Sequence, residues 1–136
     1  MKTIEKFLPQ RAPFLFVDEI LSTDNGLIIG EKKYDSDFIF YEKCGKHLYV
    51  PPTLLLESLM QCGGAGAKML NPTKINIFAV FSIIKVKIRT PVYFSDTTIM
   101  KITTLHMHGR YFQQKGSSFL NGKLILSAVW QCMAIK

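Results

Sequence analysis

The sequence predicts an α+β fold in which an antiparallel sheet of five or six strands wraps one long helix. Three observations lead there. Residues 53–70 form a long apolar stretch opened by Pro51 and Pro52, and proline suits a first helical position. The chain after that stretch reads as strand throughout. Asp24-Asn25-Gly26 and Asn121-Gly122 are turn signals of the kind that join antiparallel strands.

Taken in order, residues 3–8 predict a short helical turn ending at Pro9. Residues 14–22 then predict a strand, paired across Asp24-Asn25-Gly26 with residues 27–34. Residues 38–50 read as irregular and hold Cys44-Gly45-Lys46-His47. The helix follows, stopped by Asn71-Pro72. Its apolar residues run nearly all round, which indicates a buried helix. Gly63, Gly64 and Gly66 each cost about 1 kcal/mol of helix propensity against alanine, so the helix backbone is expected to lie very close to the sheet or to a second helix. Residues 76–89 alternate late in their course, Ile84, Val86 and Ile88 against Lys85, Lys87 and Arg89, as a half-buried strand does. Residues 97–108 form another strand, and 111–120 pairs with 123–135 across Asn121-Gly122.

At 136 residues, 48% hydrophobic and 12% aromatic, the chain predicts one domain over 1–136 with its own core and excludes disorder. The formal charge of +7 favours an acidic partner. The basic residues are scattered with no run of five or more, which argues against a nucleic-acid arm. Cys44, Cys62 and Cys132 are odd in number and lack CxxC spacing, as reduced thiols of a cytosolic protein do. The N-terminus has no long apolar core of a signal peptide, and the apolar run over 75–84 is too short to span a bilayer. A soluble cytoplasmic protein without integral membrane contact is expected.

Glu57 is the most informative residue: it is the only acid between Glu42 and Asp96, and it sits inside the most apolar helical stretch. Burying a carboxylate costs several kcal/mol unless it is paired or protonated, so a lone acid there needs a reason. Acid/base chemistry is such a reason; a place on the wet side of the helix is the plainer one. Other tempting residues carry less. His106 and His108 alternate on a strand with no third ligand nearby, and read as an exposed pair rather than a metal site. Ser58 lacks a Gly-x-Ser-x-Gly turn and is no nucleophile. Met60 and Met69 read as core or tunnel lining, and Trp130 as a packed strand residue.

The segment from Leu8 to Asp18, Leu-Pro-Gln-Arg-Ala-Pro-Phe-Leu-Phe-Val-Asp, resembles the opening motif of the β-hydroxyacyl-acyl carrier protein dehydratases, which have the hot-dog fold. The segment from Pro51 to Gln61 is similar to their central-helix motif, with a glutamate at the position of Glu57. Phe78-Ala79, Arg89-Thr90-Pro91-Val92, Asp96 and Asn121-Gly122-Lys123 resemble the family's later strands and turns, so the likeness covers nearly the whole chain in order. It implies a dimer formed by joining sheets, with active sites at the interface. It implies removal of water from a 3-hydroxyacyl thioester carried on acyl carrier protein, an acidic partner, in fatty-acid or polyene-type biosynthesis. A histidine takes the C2 proton, the helix carboxylate assists departure of the 3-hydroxyl, and a backbone N–H polarises the thioester carbonyl, with no metal or cofactor.

The chain departs from that pattern in three places. The family's histidine position falls on Lys43, and His47 takes the role only if the loop is shortened. Pro52 stands where the family has a glycine, which removes an N–H that Thr53 would have to replace. Gln10 replaces a histidine; it keeps hydrogen bonding but cannot titrate. In these respects the chain is similar to the dehydratase-like proteins of aryl-polyene and flexirubin-type pigment pathways, and a heterodimer with a second hot-dog subunit is expected beside a homodimer or a higher oligomer. The resemblance implies Glu57 and His47 as catalytic residues and Thr53, Gln61, Phe78 and Phe81 as substrate-binding residues. Two other readings stay open: a hot-dog acyl thioesterase using the helix glutamate, and a non-catalytic scaffold subunit.

Overall fold

The computed structural model describes residues 3–72 and 77–135. After a short helical turn at Thr3–Lys6 come β1 (Glu19–Ser22), β2 (Ile28–Lys33), β3 (Glu42–Cys44), β4 (His47–Tyr49), the helix α1 (Pro52–Leu70), and the strands β5 (Ile77–Ile88), β6 (Thr97–His108), β7 (Tyr111–Leu120) and β8 (Lys123–Ile135). Six strands form one antiparallel sheet in the order β1-β2-β6-β7-β8-β5, and β3 pairs only with β4. The large sheet curls around α1, which is the hot-dog arrangement. None of the described helices is long and apolar enough to cross a membrane.

Both hairpin turns form where Asn and Gly place them. Asn121 and Gly122, with φ of 50° and 80°, are the left-handed pair that a two-residue hairpin requires, whereas Asn25 and Gly26, with φ of 55° and 78°, end a helical turn inside the longer connection between Ser22 and Ile28. Helix and sheet meet on Leu55, Leu59, Cys62, Ala65, Ile28, Met100, Ile102, Ala128 and Trp130, all buried. Two of the three helix glycines serve this contact. A Cβ on Gly66 would run into the Ile28 side chain, and one on Gly63 into Gln114 and Trp130. Gly64 differs: its nearest outside atom is Leu8 Cδ2 at 4.0 Å, because this side of the helix faces a cavity.

Three expectations are corrected. The first strand does not begin at residue 14 but at Glu19. Before it, helix side chains replace a neighbouring strand: Phe16 N–H donates to Gln61 Oε1 (2.8 Å), Gln61 Nε2 donates to Phe14 O (2.9 Å), and Ser58 Oγ donates to Phe16 O (2.6 Å). The segment 38–50 is not wholly irregular, since β3 and β4 form a small hairpin around Gly45 at φ 60°. Finally, the late alternation of β5 does not bury Ile84 and Ile88, which are 54% and 51% exposed. Register shifts after Val80 and Ile83 break the face pattern, and β5 is the last strand of the sheet, paired on one side only. The expected start of that strand at residue 76 lies outside the described residues.

Candidate active site

Glu57 is half-buried on a side of α1 that faces a cavity. Glu57, Gln61, Gly64 and Lys68 follow one another at helical spacing and line a cavity of about 280 Å³. Opposite them stand Phe7, Leu8, Pro9 and Gln10 from the N-terminal segment; Phe78, Ala79 and Val80 of β5 and Cys132 of β8 complete the wall. The N-terminal wall is held by Arg11, whose guanidinium donates to Leu8 O (2.7 Å) and Gln10 O (2.8 Å) and pairs with Glu5 at 3.0 Å.

Gln61 sets the carboxylate. Its Nε2 donates to Glu57 Oε2 at 3.0 Å, one helical turn away, while the same amide is fixed by the Phe14 and Phe16 backbone. Both N–H bonds of the amide are thereby used within the protein, so Gln61 orients Glu57 rather than offering donors to the cavity. Among the titratable side chains that line the cavity are Glu57, Lys68 and Cys132. Burial pushes the Cys132 thiol up to about 12, opposed by the Trp130 side chain, so it stays protonated at neutral pH. A partly buried carboxylate in a cleft of mixed polar and apolar lining, with its direction fixed by an amide, can exchange a proton with a ligand lying against the helix.

Of the other expected site residues, Phe78 lines this cavity and also a second one of about 270 Å³, bounded by Ala67, Leu70, Met107 and Phe112. Its ring packs edge-on against Phe112 at 4.6 Å. Phe81 does not join them; it is 52% exposed and borders a shallow depression with His106, His108 and Tyr111. Thr53 is exposed on the first turn of α1 and does not line the cavity of Glu57. His47 is also exposed; it sits opposite Cys44 on the small hairpin, with its ring 5.5 Å from that of Tyr93, away from that cavity. Gln10 lines it without having been expected to; its place in the motif was visible, but not its direction. Ser58 is buried and held by the Phe16 carbonyl, which removes it from any nucleophilic role. Among the described residues no three His, Cys, Asp or Glu side chains gather in a way that could hold a metal ion.

No protein-family model matches the chain. It is 31% identical to the 3-hydroxyacyl-[acyl-carrier-protein] dehydratase FabZ of Sulfurovum sp. (strain NBC37-1), over 97% of this chain and 94% of that one. It is 30% identical to the enzyme of the same name from Campylobacter lari, with the same coverage. Among solved structures it resembles the dehydratase heterocomplex ApeI:P from Xenorhabdus doucetiae, with a TM-score of 0.84 over 98% of this chain and 91% of that one at 11% identity. It also resembles a hypothetical thioesterase from Streptococcus pneumoniae TIGR4, with a TM-score of 0.66 over 86% and 84% at 11% identity. At such identities the structural likenesses speak for the fold alone. The full-length match in sequence goes further: the chain belongs to the FabZ-type 3-hydroxyacyl-[acyl-carrier-protein] dehydratase family.

Proposed function

We propose that this chain is a dehydratase-type protein for 3-hydroxyacyl thioesters on acyl carrier protein, with Glu57 as its acid/base residue. The observation that carries the reading is the Gln61-oriented carboxylate of Glu57, in a cavity of mixed polar and apolar lining. Dehydration breaks the C2–H and C3–O bonds, and the departing hydroxyl must gain a proton to leave as water. Glu57 supplies that proton, and in hydration it takes one from the attacking water. The acyl chain passes Phe78, which lines both cavities, toward Leu70 and Met107.

The second half of the reaction, removal of the C2 proton, calls for a base, and among the described residues no histidine lines the cavity beside Glu57. In this reading the site is completed across a dimer. The unpaired edge strand β5 supports that view, because Val80, Phe81, Ile83, Ile84 and Ile88 are 38–54% exposed along it. An uncovered apolar edge strand is a template for joining another sheet. The base is then His47 of a second copy or a group of a second hot-dog subunit. The test is hydration of an enoyl thioester on acyl carrier protein, read as loss of enoyl absorbance, by the chain alone and with His47→Ala. Hydration that survives in the chain but fails in the variant identifies the base. Release of free thiol instead of hydration would replace the reading with thioesterase.

A further inference from the structure

Gln10 carries a polar atom that the fold leaves unused. Its Oε1 is buried and accepts no hydrogen bond, and the residue lines the same cavity as Glu57. The Tyr34 hydroxyl also has no such partner, but it is enclosed in the aromatic core near Ser58 and borders none of the described cavities. Buried acceptors are rarely left unpaired in folded proteins, and this one belongs to a side chain of the wall that Glu57 shares, where a bound ligand can bring a donor. The segment is not loose: Arg11 grips the carbonyls of Leu8 and Gln10, so the position of residue 10 is set by the protein.

We infer that Gln10 is a substrate-binding residue whose Oε1 accepts a hydrogen bond from the 3-hydroxyl of the substrate. This rests on the dehydratase reading and adds to it a group that recognises the leaving hydroxyl. Gln10 and Glu57 line one cavity, and their roles are compatible. A hydroxyl that donates its hydrogen to Gln10 keeps its lone pairs for the proton that Glu57 delivers, and it leaves as water with both hydrogens placed. An acyl chain without the hydroxyl leaves the acceptor unpaired, so the site discriminates for the hydroxyl.

The experiment uses two unreactive probes: a 3-hydroxyhexanoyl pantetheine amide, with nitrogen in place of the thioester sulfur, and the same amide lacking the hydroxyl. Dissociation constants and melting temperatures are measured for the unaltered protein and for Gln10→Leu and Gln10→Met. The unaltered protein is expected to prefer the hydroxylated amide by roughly fivefold to tenfold, the worth of one hydrogen bond. Both variants are expected to lose that preference while melting no lower, because the deleted acceptor has no partner in the protein. A merely structural Gln10 would give the reverse, lower melting with the preference kept, and that overturns the inference. Equal binding of both amides by an unaltered protein that still hydrates enoyl substrate overturns the role of Gln10 alone. Absence of both binding and hydration overturns the dehydratase reading with it.

Discussion

Glu57 was legible in the sequence because a single acid in an apolar helix stands out by its cost. Its amide partner was visible only as part of a motif, since the role of Gln61 depends on the 14–16 segment folding across the helix. Three hydrogen bonds meet at Gln61, and their loss has two readable consequences. Gln61→Leu should lower stability by about 1–3 kcal/mol, as Phe16 N–H and Phe14 O lose their partner. It should also slow turnover, as Glu57 loses its orientation; urea unfolding and hydration rates check the two effects. The thiols give a second prediction at this scale. Burial pushes Cys62 and Cys132 up to about 12 from an ordinary 9.0, while Cys44 is exposed. A thiol-specific reagent at pH 8 should therefore modify Cys44 in the folded protein and reach the other two only on unfolding. Both folded-state values are raised, so the stability held in these neutral thiols is complete below pH 9 and is lost as pH rises toward 12. Unfolding curves at pH 8 and pH 11 should show that decline.

At the scale of elements, periodicity and turn chemistry located α1, β2, β6, β7 and β8 to within a residue or so, because each has a strong local signal. The misses are those where tertiary structure decides. The segment 14–18 has the composition of a strand, yet Ser58 and Gln61 of the helix take up Phe14 O and both backbone groups of Phe16, and the pairing with β2 is reached only at Asp18, whose N–H donates to Glu31 O. The strands β3 and β4 are three residues each and largely exposed, too short to show alternation. The helix glycines were expected as a group to be close contacts, and the structure separates them. Gly66→Ala should cost about 1–3 kcal/mol by overpacking Ile28. Gly64→Ala, which meets only Leu8 Cδ2 at 4.0 Å, should instead stabilise the helix by about 0.5–1 kcal/mol. Thermal unfolding of the two variants tests the division directly.

For the whole molecule, lysines that look scattered along the sequence are gathered by the sheet. Lys85 and Lys115 both stand opposite Val129, and Lys87, Ser127, Ser117 and Lys101 form a row across four strands. These four lysines are exposed, while Ala128 and Trp130, on the opposite face, are buried against the helix. Strands β5 to β8 contain no Asp or Glu, so nothing on them offsets this charge. Such a field attracts an acidic partner over distances comparable to the screening length. Replacing Lys85, Lys87, Lys101 and Lys115 by Gln should slow association with acyl carrier protein about tenfold at low salt and weaken its salt dependence. The sharing of Phe78 by two cavities, the unpaired β5 edge and this basic face are all invisible to a linear reading, because each depends on which strands the fold makes neighbours.

The central claim is that the carboxylate of Glu57 does the proton transfer. The measurement that tests it most directly is hydration of an enoyl thioester on acyl carrier protein by the unaltered protein and by Glu57→Gln, each shown to be folded by its melting curve. An acid/base residue predicts a loss of at least about 100-fold in the variant at unchanged or higher melting temperature. A variant that hydrates the thioester as fast as the unaltered protein would contradict the account.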